Sequence, residues 1–140
     1  MALPDADTGA QRLLAGGWFA VAGDELARRM VADLGGRSFE VADEQRVLYH
    51  AAAVVASNHL VGLLGQVERL ARTAGVPFEA YLDLVRGTVD NVAELGPARA
   101  LTGPVARRDQ VTIDRHRATL DPSEHELYDV LVAACRRLLR

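Results

Sequence analysis

The chain has 140 residues, and 49% of them are hydrophobic, so it is long and apolar enough for one domain with a buried core. The formal net charge of −3 excludes a protein that binds nucleic acid through its overall charge, and we expect no nucleic-acid partner. The single Cys135 cannot form an internal disulfide, and the N-terminal residues lack the order of a secretory signal. We therefore expect the protein in the reducing cytoplasm.

A strand, a helix and a second strand are predicted within residues 17–42. The run "GWFAVA" (17–22) is typical of a buried strand, and "RSFEVA" (37–42) predicts a second one. Between them "DELARRMVADL" (24–34) has helical periodicity, with Asp24 as its N-cap. Strands joined in this way lie parallel and need further strands beside them. We expect residues 1–42 to be the remnant of a larger sheet whose beginning is absent.

Residues 43–74 are predicted to form one helix of about 32 residues, ended by Gly75 and Pro77. Its stretch "VLYHAAAVVASNHLVGLLG" (47–65) carries no charged residue and is near the length of a membrane span. The polar side chains within it are unfavourable in hydrocarbon. We therefore expect a buried helix of a soluble protein and no membrane partner.

Three more helices and one polar loop follow. Apolar residues at spacings of three and four predict a helix over 78–95, and Asp109 is placed to cap another over 110–119. "DPSE" (121–124) predicts the start of the last helix, with Asp121 as cap and Glu124 as the partner in a capping box. The loop "GPARALTGPVARRD" (96–109) has two Gly-Pro breaks and suits either a rigid return or a ligand contact.

Candidate site residues on the long helix are His50, Ser57 and Asn58. His50 and Asn58 are eight residues apart, about 80° around an α-helix, and Ser57 directly precedes Asn58. A histidine on an apolar helix is more often a structural residue than a catalyst, so the spacing alone leaves both interpretations open. His59 points elsewhere and is expected to be structural.

Asn91, Thr102 and Arg107 are further candidates for binding a substrate. Asn91 also suits a structural role, tying down the loop through its amide. Arg107 belongs to a local basic group that suits a phosphate or a solvated face, with Arg108, Arg115, His116 and Arg117. The sequence has no HExxH or CxxC spacing, so we expect no metal site. It also contains neither the G-x-S-x-G motif of a serine nucleophile nor the G-x-G-x-x-G motif of a dinucleotide site.

The later part of the chain resembles a known family in three stretches: "LYHAAAVVASNHLVGLL", "TVDNVAELGPARALTGPVARRD" and "RHRATL". Through them residues 43–139 resemble the helical C-terminal domain, domain of unknown function 2520, of uncharacterised Rossmann-like proteins in the 6-phosphogluconate dehydrogenase-like superfamily. Residues 17–42 resemble the end of the Rossmann domain that precedes it. The resemblance implies a mainly α fold, a long-helix bundle over 43–140 preceded by a βαβ remnant over 1–42.

The resemblance also implies roles for individual residues. Relatives place Lys and Asn side chains of the first long helix against the nicotinamide and the substrate; His50 stands in place of that lysine, and Asn58 matches an Asn. A histidine changes its protonation near neutral pH, so His50 suits the proton donor to a carbonyl that is being reduced. Ser57, Asn91, Thr102 and Arg107 are then expected to bind the substrate. Val54 and Arg108 depart from the family, which shows Asn and Gly at these positions.

The function implied is that of a substrate-binding and dimerisation domain of an NAD(P)-dependent oxidoreductase. Without the dinucleotide fingerprint we expect the chain to be inactive alone, to bind no cofactor tightly, and to meet NAD(P) and a small-molecule substrate only in a full-length form. The cleft in this superfamily is often completed by a second protomer, so we expect a homodimer. The alternative is a non-enzymatic helical dimerisation or interaction module in which the same residues are structural.

Overall fold

The computed structural model describes residues 5–23 and 25–140, which form two compact units with the boundary after Gly62. The architecture is mainly helical, with one two-stranded parallel sheet near the N-terminus. This confirms the predicted fold class, including the strand, helix and strand that precede the long helix. The two units are described separately below.

The first unit is built around the small sheet. Trp18 pairs with Arg37 at one end of the parallel register and Val21 with Glu40 at the other. Asp5 caps a first helix that the sequence did not predict, accepting a hydrogen bond of 2.8 Å from the Thr8 amide. Asp24, the predicted cap of the next helix, lies outside the described residues. The elements are α1 (Ala6–Leu14), β1 (Trp18–Val21), α2 (Glu25–Asp33) and β2 (Arg37–Glu40).

Packing in this unit depends on close approach at one glycine. Val21 and Val31 are buried, and the Phe19 ring lies against Gly36. A Cβ at Gly36 would lie 2.6 Å from a Phe19 ring carbon, a distance that side chains do not tolerate. On the other side of the sheet, Phe39 packs edge-on against both Trp18 and Tyr49, with ring centroids 6.2 and 5.7 Å apart. The aromatic contacts thus join the sheet to the long helix.

The long helix is continuous from Asp43 to Ala74, as predicted, and it ends at Gly75 with a φ of 69°. It is not a regular α-helix throughout, because a π-helical turn interrupts it at Val55–His59. The sequence did not predict this turn. The segments are a 3-10 turn (Asp43–Gln45), α3 (Arg46–Val54), the π turn (Val55–His59) and α4 (Leu60–Ala74).

The expectation that this helix is buried is wrong for its first half. Its apolar side chains are exposed in the chain, with Val47 82%, Leu48 66% and Val55 56% accessible. By length and composition the helix is also able to cross a membrane, and no part of its most apolar window is buried against other described residues. A helix that is apolar nearly all round has therefore not found its packing partner within these residues.

The second unit contains five further helices. The predicted bounds 78–95 and 110–119 are confirmed, whereas the loop 96–109 contains two short helices that were not predicted. The second unit has few buried residues, and some of them are polar: Ala71, Ile113, Gln66 and Glu124. The helices are α5 (Phe78–Leu95), α6 (Pro97–Ala100), α7 (Gly103–Ala106), α8 (Gln110–Thr119) and α9 (His125–Arg137), with a 3-10 turn (Pro122–Glu124) before α9.

Two predicted caps are present and the predicted capping box is not. Asp109 accepts a hydrogen bond of 3.0 Å from the Thr112 amide, and Asp121 accepts one of 2.9 Å from the Ser123 amide. The Glu124 carboxylate, however, does not turn back towards Asp121. It accepts two hydrogen bonds from the Arg69 guanidinium, at 2.5 and 3.0 Å, so the acid expected in a cap joins α4 to the start of α9 instead.

Candidate functional site

Three of the predicted site residues line one groove on the long helix. This helix groove, of about 770 Å³, is lined by His50, Ser57 and Asn58 together with Tyr49 and apolar neighbours. His50 and Asn58 are exposed and Ser57 is half-buried. The groove therefore offers an imidazole, a hydroxyl and a carboxamide to a bound molecule along one side of a helix.

The π turn explains why these side chains share the groove. Ser57 and Asn58 lie within the π turn Val55–His59, while His50 lies one turn earlier on α3. A π turn contains more residues per rotation than an α turn, so the angle between His50 and Asn58 is smaller than the 80° of a regular helix. Such turns occur frequently at functional sites.

Asn91 and Thr102 line a second groove, which lies in the second unit. This loop groove, of about 560 Å³, runs between α5 and the segment with the two short helices, with Leu84 and Leu101 among its apolar walls. Both Asn91 and Thr102 are exposed. Within the described part of the chain no hydrogen bond joins the Asn91 side chain to the loop, so the structural role considered for it is not seen.

Arg107 does not line the loop groove. It is exposed and ends α7, with its amide bonded to the Gly103 carbonyl at 3.2 Å. Its charge acts on Asp109 instead. The pKa of Asp109 lies below its usual range, chiefly because of hydrogen bonds from Thr112, with smaller contributions from the positive charges of Arg107 and Arg115.

The rest of the basic group does not form one cluster. Arg117 makes an ion pair with Asp129, at 2.9 and 3.1 Å, and His116 Nδ1 lies 3.1 Å from the hydroxyl of Tyr128. These contacts join α8 to α9. Burial, with nearby acidic groups, raises the pKa of Tyr128. The sequence could not assign these partners, because both lie on the following helix.

Arg108 differs from the rest of this basic group in its backbone conformation. Its φ of 56° is in the left-handed region, where glycine is favoured, and no other non-glycine residue in the described ranges has a positive φ. Glycine adopts this conformation without strain, and glycine is the residue that the resemblance implies at this position. Arg108 lines a cavity with Arg136 and Arg140, two residues that sequence reasoning did not select.

The residues present do not fit a dinucleotide or a metal. The turn between β1 and α2 contains Gly23, with a φ of 106°, but no second and third glycine at the spacing that a pyrophosphate needs. Among residues 5–23 and 25–140, no three His, Cys, Asp or Glu side chains lie close enough to hold a metal ion. We therefore assign to this chain no step that involves either group.

The solved structures that are similar to the chain include the following two. One is the crystal structure of a "putative NADP oxidoreductase", BF3122 from Bacteroides fragilis, with a TM-score of 0.70 and 29% identity over 86% of this chain. The other is protein TM1727 from Thermotoga maritima, with a TM-score of 0.69 and the same identity and coverage. The chain spans 48% and 52% of these two proteins, about half of each.

A comparison with protein families gives the same relationship. No curated protein matches the chain significantly. A family model matches residues 19–135. This range contains the whole helix groove and β2, all of β1 except Trp18, and all of the loop groove except Leu138. This match confirms the resemblance to domain of unknown function 2520 that was found in the sequence. The chain belongs to the family described as a domain of unknown function, DUF2520.

Proposed function

We propose that the chain is the substrate-binding and dimerisation part of an NAD(P)-dependent oxidoreductase. The observation that carries this proposal is the similarity of the chain, at 29% identity, to about half of the Bacteroides fragilis protein, which is described as a "putative NADP oxidoreductase". The other half of such a protein would supply the nucleotide-binding domain. This chain has no dinucleotide fingerprint, which agrees with binding of the nucleotide by the other half of the protein.

In this proposal the helix groove binds the reacting end of a small molecule that contains a carbonyl group. His50 donates a proton to the carbonyl oxygen, and Asn58 orients the same oxygen through its carboxamide N–H. We propose that the Ser57 hydroxyl, which lines the same groove, binds the substrate beside them. Asn91 and Thr102, which line the loop groove of the second unit, and Arg107 are proposed separately to bind a polar group of a substrate, with the guanidinium suited to a carboxylate.

The cofactor enters the proposal only through the nucleotide-binding half. When bound there, NAD(P) would supply the hydride. The 140-residue chain should therefore show no saturable binding of NADPH and no oxidation of NADPH with any carbonyl substrate. Tight NADPH binding by this chain alone, measured by the fluorescence of the reduced nicotinamide, would contradict this part of the proposal.

Dimerisation is supported by the exposed side of the long helix. Val47, Leu48, Val55 and Val61 are each more than half exposed, and they lie on one helix without a described packing partner. Soluble proteins rarely leave such a continuous apolar surface in water. A second copy of the chain, presenting the same helix, would bury it. A lipid bilayer is the less favourable partner, since His50, Ser57 and Asn58 would then lie in hydrocarbon.

The dimer is tested with a pair of matched substitutions. Val61→Glu places a charge on the exposed side of the long helix, while Val111→Glu places one on α8, where the side chain is 62% exposed. Neither should prevent folding, since both side chains are accessible in the chain. We expect sedimentation to show a dimer for wild type and Val111→Glu and a monomer for Val61→Glu. A monomeric wild type would rule out the dimer.

The site is tested on the longest form of the protein that its source cells make. An antibody against residues 109–140 and an intact mass identify that form, and NADPH oxidation is then measured with a panel of small carbonyl compounds. His50→Gln removes the proposed proton donor, and His59→Gln changes a histidine that does not line the helix groove. We expect kcat to fall about 100-fold or more for His50→Gln only, because a positioned general acid contributes at least that factor.

The second candidate is a non-enzymatic dimerisation module. It is favoured by the exposed apolar helix, which needs a partner whether or not any chemistry takes place. A species of 15.1 kDa in the source cells, with no longer form, would support the module. Equal activity of wild type and His50→Gln in a longer form would support it as well, because the histidine would then have no role in the reaction.

A further inference from the structure

A cavity of about 330 Å³ in the second unit is lined by three arginines: Arg108, Arg136 and Arg140. We refer to it as the arginine cavity. It lies where α7 packs against α8 and α9, and it is separate from the loop groove. Its apolar wall is formed by Val105, Ile113 and Leu139, of which Ile113 is buried. Cationic side chains and an apolar wall therefore meet in one concave site.

The charge in this cavity has no counterpart in the part of the chain that is described. No acidic side chain is among the residues that line it. None of the ion pairs between described residues includes Arg108, Arg136, Arg140 or the terminal carboxylate of Arg140. Like charges placed together repel one another, and an anion between them reverses the sign of that interaction.

One of the three guanidinium groups is held in place by neighbouring side chains. Arg136 donates from Nη2 to Oε1 of Gln110, a residue that also lines the cavity. The Gln110 amide in turn donates to Oδ1 of Asp114 at 2.7 Å. Both residues are exposed, so this single hydrogen bond orients the Arg136 side chain and leaves its other N–H groups available. A guanidinium with free N–H groups is suited to bidentate binding of an oxyanion.

The second arginine occupies a position that disfavours any side chain. Arg108 has a φ of 56°, fixed by hydrogen bonds from its amide to the Val105 carbonyl and from the Asp109 amide to the Pro104 carbonyl. Glycine would adopt this conformation without strain. The residue present nevertheless carries a long cationic side chain that reaches the cavity. Strain of this kind at a binding surface is consistent with a functional use of the side chain.

We propose that the arginine cavity binds a phosphate group, either free phosphate or the phosphate of a small ester. Arg108, Arg136 and Arg140 hold its oxygens through charge-assisted hydrogen bonds. The apolar wall is suited to the organic part of an ester. This proposal does not depend on the proposed oxidoreductase function, because the cavity lies wholly within the second unit and shares no lining residue with the helix groove or the loop groove.

The test is a titration of the 140-residue chain with inorganic phosphate and with phenyl phosphate, at constant ionic strength maintained with sodium chloride. Calorimetry reports binding, and thermal unfolding reports the accompanying shift in Tm. We expect saturable binding and a rise in Tm. Tighter binding of phenyl phosphate than of inorganic phosphate would identify an ester as the ligand, and equal affinities would identify free phosphate.

Three variants connect the binding to the cavity. Arg136→Ala should weaken binding about tenfold or more, since each hydrogen bond to a charged group contributes that much. Arg137→Ala, the neighbouring arginine on α9 that does not line the cavity, should bind as wild type. Arg108→Gly should bind more weakly and yet unfold at a higher temperature without phosphate, because it removes the strained side chain. Its weaker binding could then not be attributed to poor folding.

Three outcomes would overturn the proposal. The first is the absence of saturable binding at millimolar phosphate. The second is an effect of phosphate on Tm that sodium chloride reproduces at equal ionic strength. The third is an equal loss of affinity in Arg136→Ala and Arg137→Ala, which would place the anion on the general basic surface of α9 and not in the cavity.

Discussion

Glu124 is a buried carboxylate that remains charged because of Arg69. The hydrogen bonds from the Arg69 guanidinium are the largest cause of a pKa below the usual glutamate range, and they outweigh the effect of burial, which acts in the opposite direction. Gln66 donates to the Glu124 carbonyl oxygen at 3.0 Å and completes the contact. The pair connects α4 to the turn before α9, so its charge state affects the stability of the second unit.

This pair predicts a loss of stability in acid. A carboxyl group with a lowered pKa in the folded state contributes stability that is present above the unfolded pKa, about 4.3 for glutamate, and is lost as the pH falls through the folded pKa. The urea concentration at the unfolding midpoint of wild type should decrease as the pH is lowered from about 5 to about 3. Glu124→Gln should be less stable at pH 7, and its urea midpoint should decline less over that range. Part of the decline should remain in this variant, because Asp109 and Asp121 also have lowered pKa values.

The control for this prediction is Glu126→Gln, which changes an exposed glutamate in the first turn of α9. Its midpoint should follow that of wild type at every pH. An equal pH dependence for wild type and Glu124→Gln would mean that the Arg69 pair does not contribute to the acid sensitivity.

A second prediction at the residue scale concerns Gly36. Alanine here would place its Cβ within 3.0 Å of Phe19 and Val31, so Gly36→Ala should destabilise the first unit by about 1–3 kcal/mol through overpacking. Gly87→Ala provides the contrast, since it lies within α5 with no atom within 4 Å of the new Cβ. It should stabilise by about 0.5–1 kcal/mol through helix propensity. Chemical denaturation measures both, and a neutral Gly36→Ala would contradict the packing described.

At the scale of elements, α8 illustrates which contacts hold a helix in the second unit. Ile113 is 5% exposed, so Ile113→Ala should cost about 2–5 kcal/mol through lost packing. The Arg117–Asp129 ion pair also joins α8 to α9, but its side chains are 47% and 46% exposed. Water screens such a pair, so Arg117→Ala should cost at most about 1 kcal/mol. Urea denaturation of the two variants measures the difference; a larger loss for Arg117→Ala would reverse the order of these contributions.

The predictability of each element follows from the range of the interactions that form it. Helices α5 and α8 have the predicted bounds because apolar spacing and the caps are local signals. The π turn, the pairing of Glu124 with Arg69 and the exposure of the long helix were not predicted. Glu124 and Arg69 are 55 residues apart, and only the fold brings them together. A capping-box pattern therefore had two possible uses, and the tertiary contact prevailed over the local one.

The candidate site was predictable to a similar extent. The positions of His50, Ser57 and Asn58 on one helix followed from the sequence, and their common groove agrees with it. Their chemical roles stay predictions. Arg136 and Arg140 were not selected as site residues, because arginines at the C-terminus of a helix are typical of a favourable interaction with the helix dipole. Their common cavity with Arg108 depends on the packing of α7 against α9, which a single sequence does not specify.

For the molecule as a whole, the proposed dimer predicts that stability depends on protein concentration. A dimer that is favoured over the unfolded monomer becomes more stable as the concentration rises. The Tm of wild type should therefore increase when the concentration is raised from about 5 to 500 μM, while the Tm of Val61→Glu should stay nearly constant. Scanning calorimetry at both concentrations measures this. A wild-type Tm that does not change would indicate that the long helix is not covered by a second copy.

The π turn at Val55–His59 also restricts how the chain can change in length. A π turn is equivalent to an α turn with one inserted residue, so deletion of one residue there would restore a regular helix. The deletion would rotate Leu60 and Val61, which follow the turn, by about 100° about the helix axis relative to His50. The helix groove is lined by residues on both sides of the turn, so it would lose part of its lining. A chimera with a homologue must therefore preserve the number of residues in this turn, even where their identities differ.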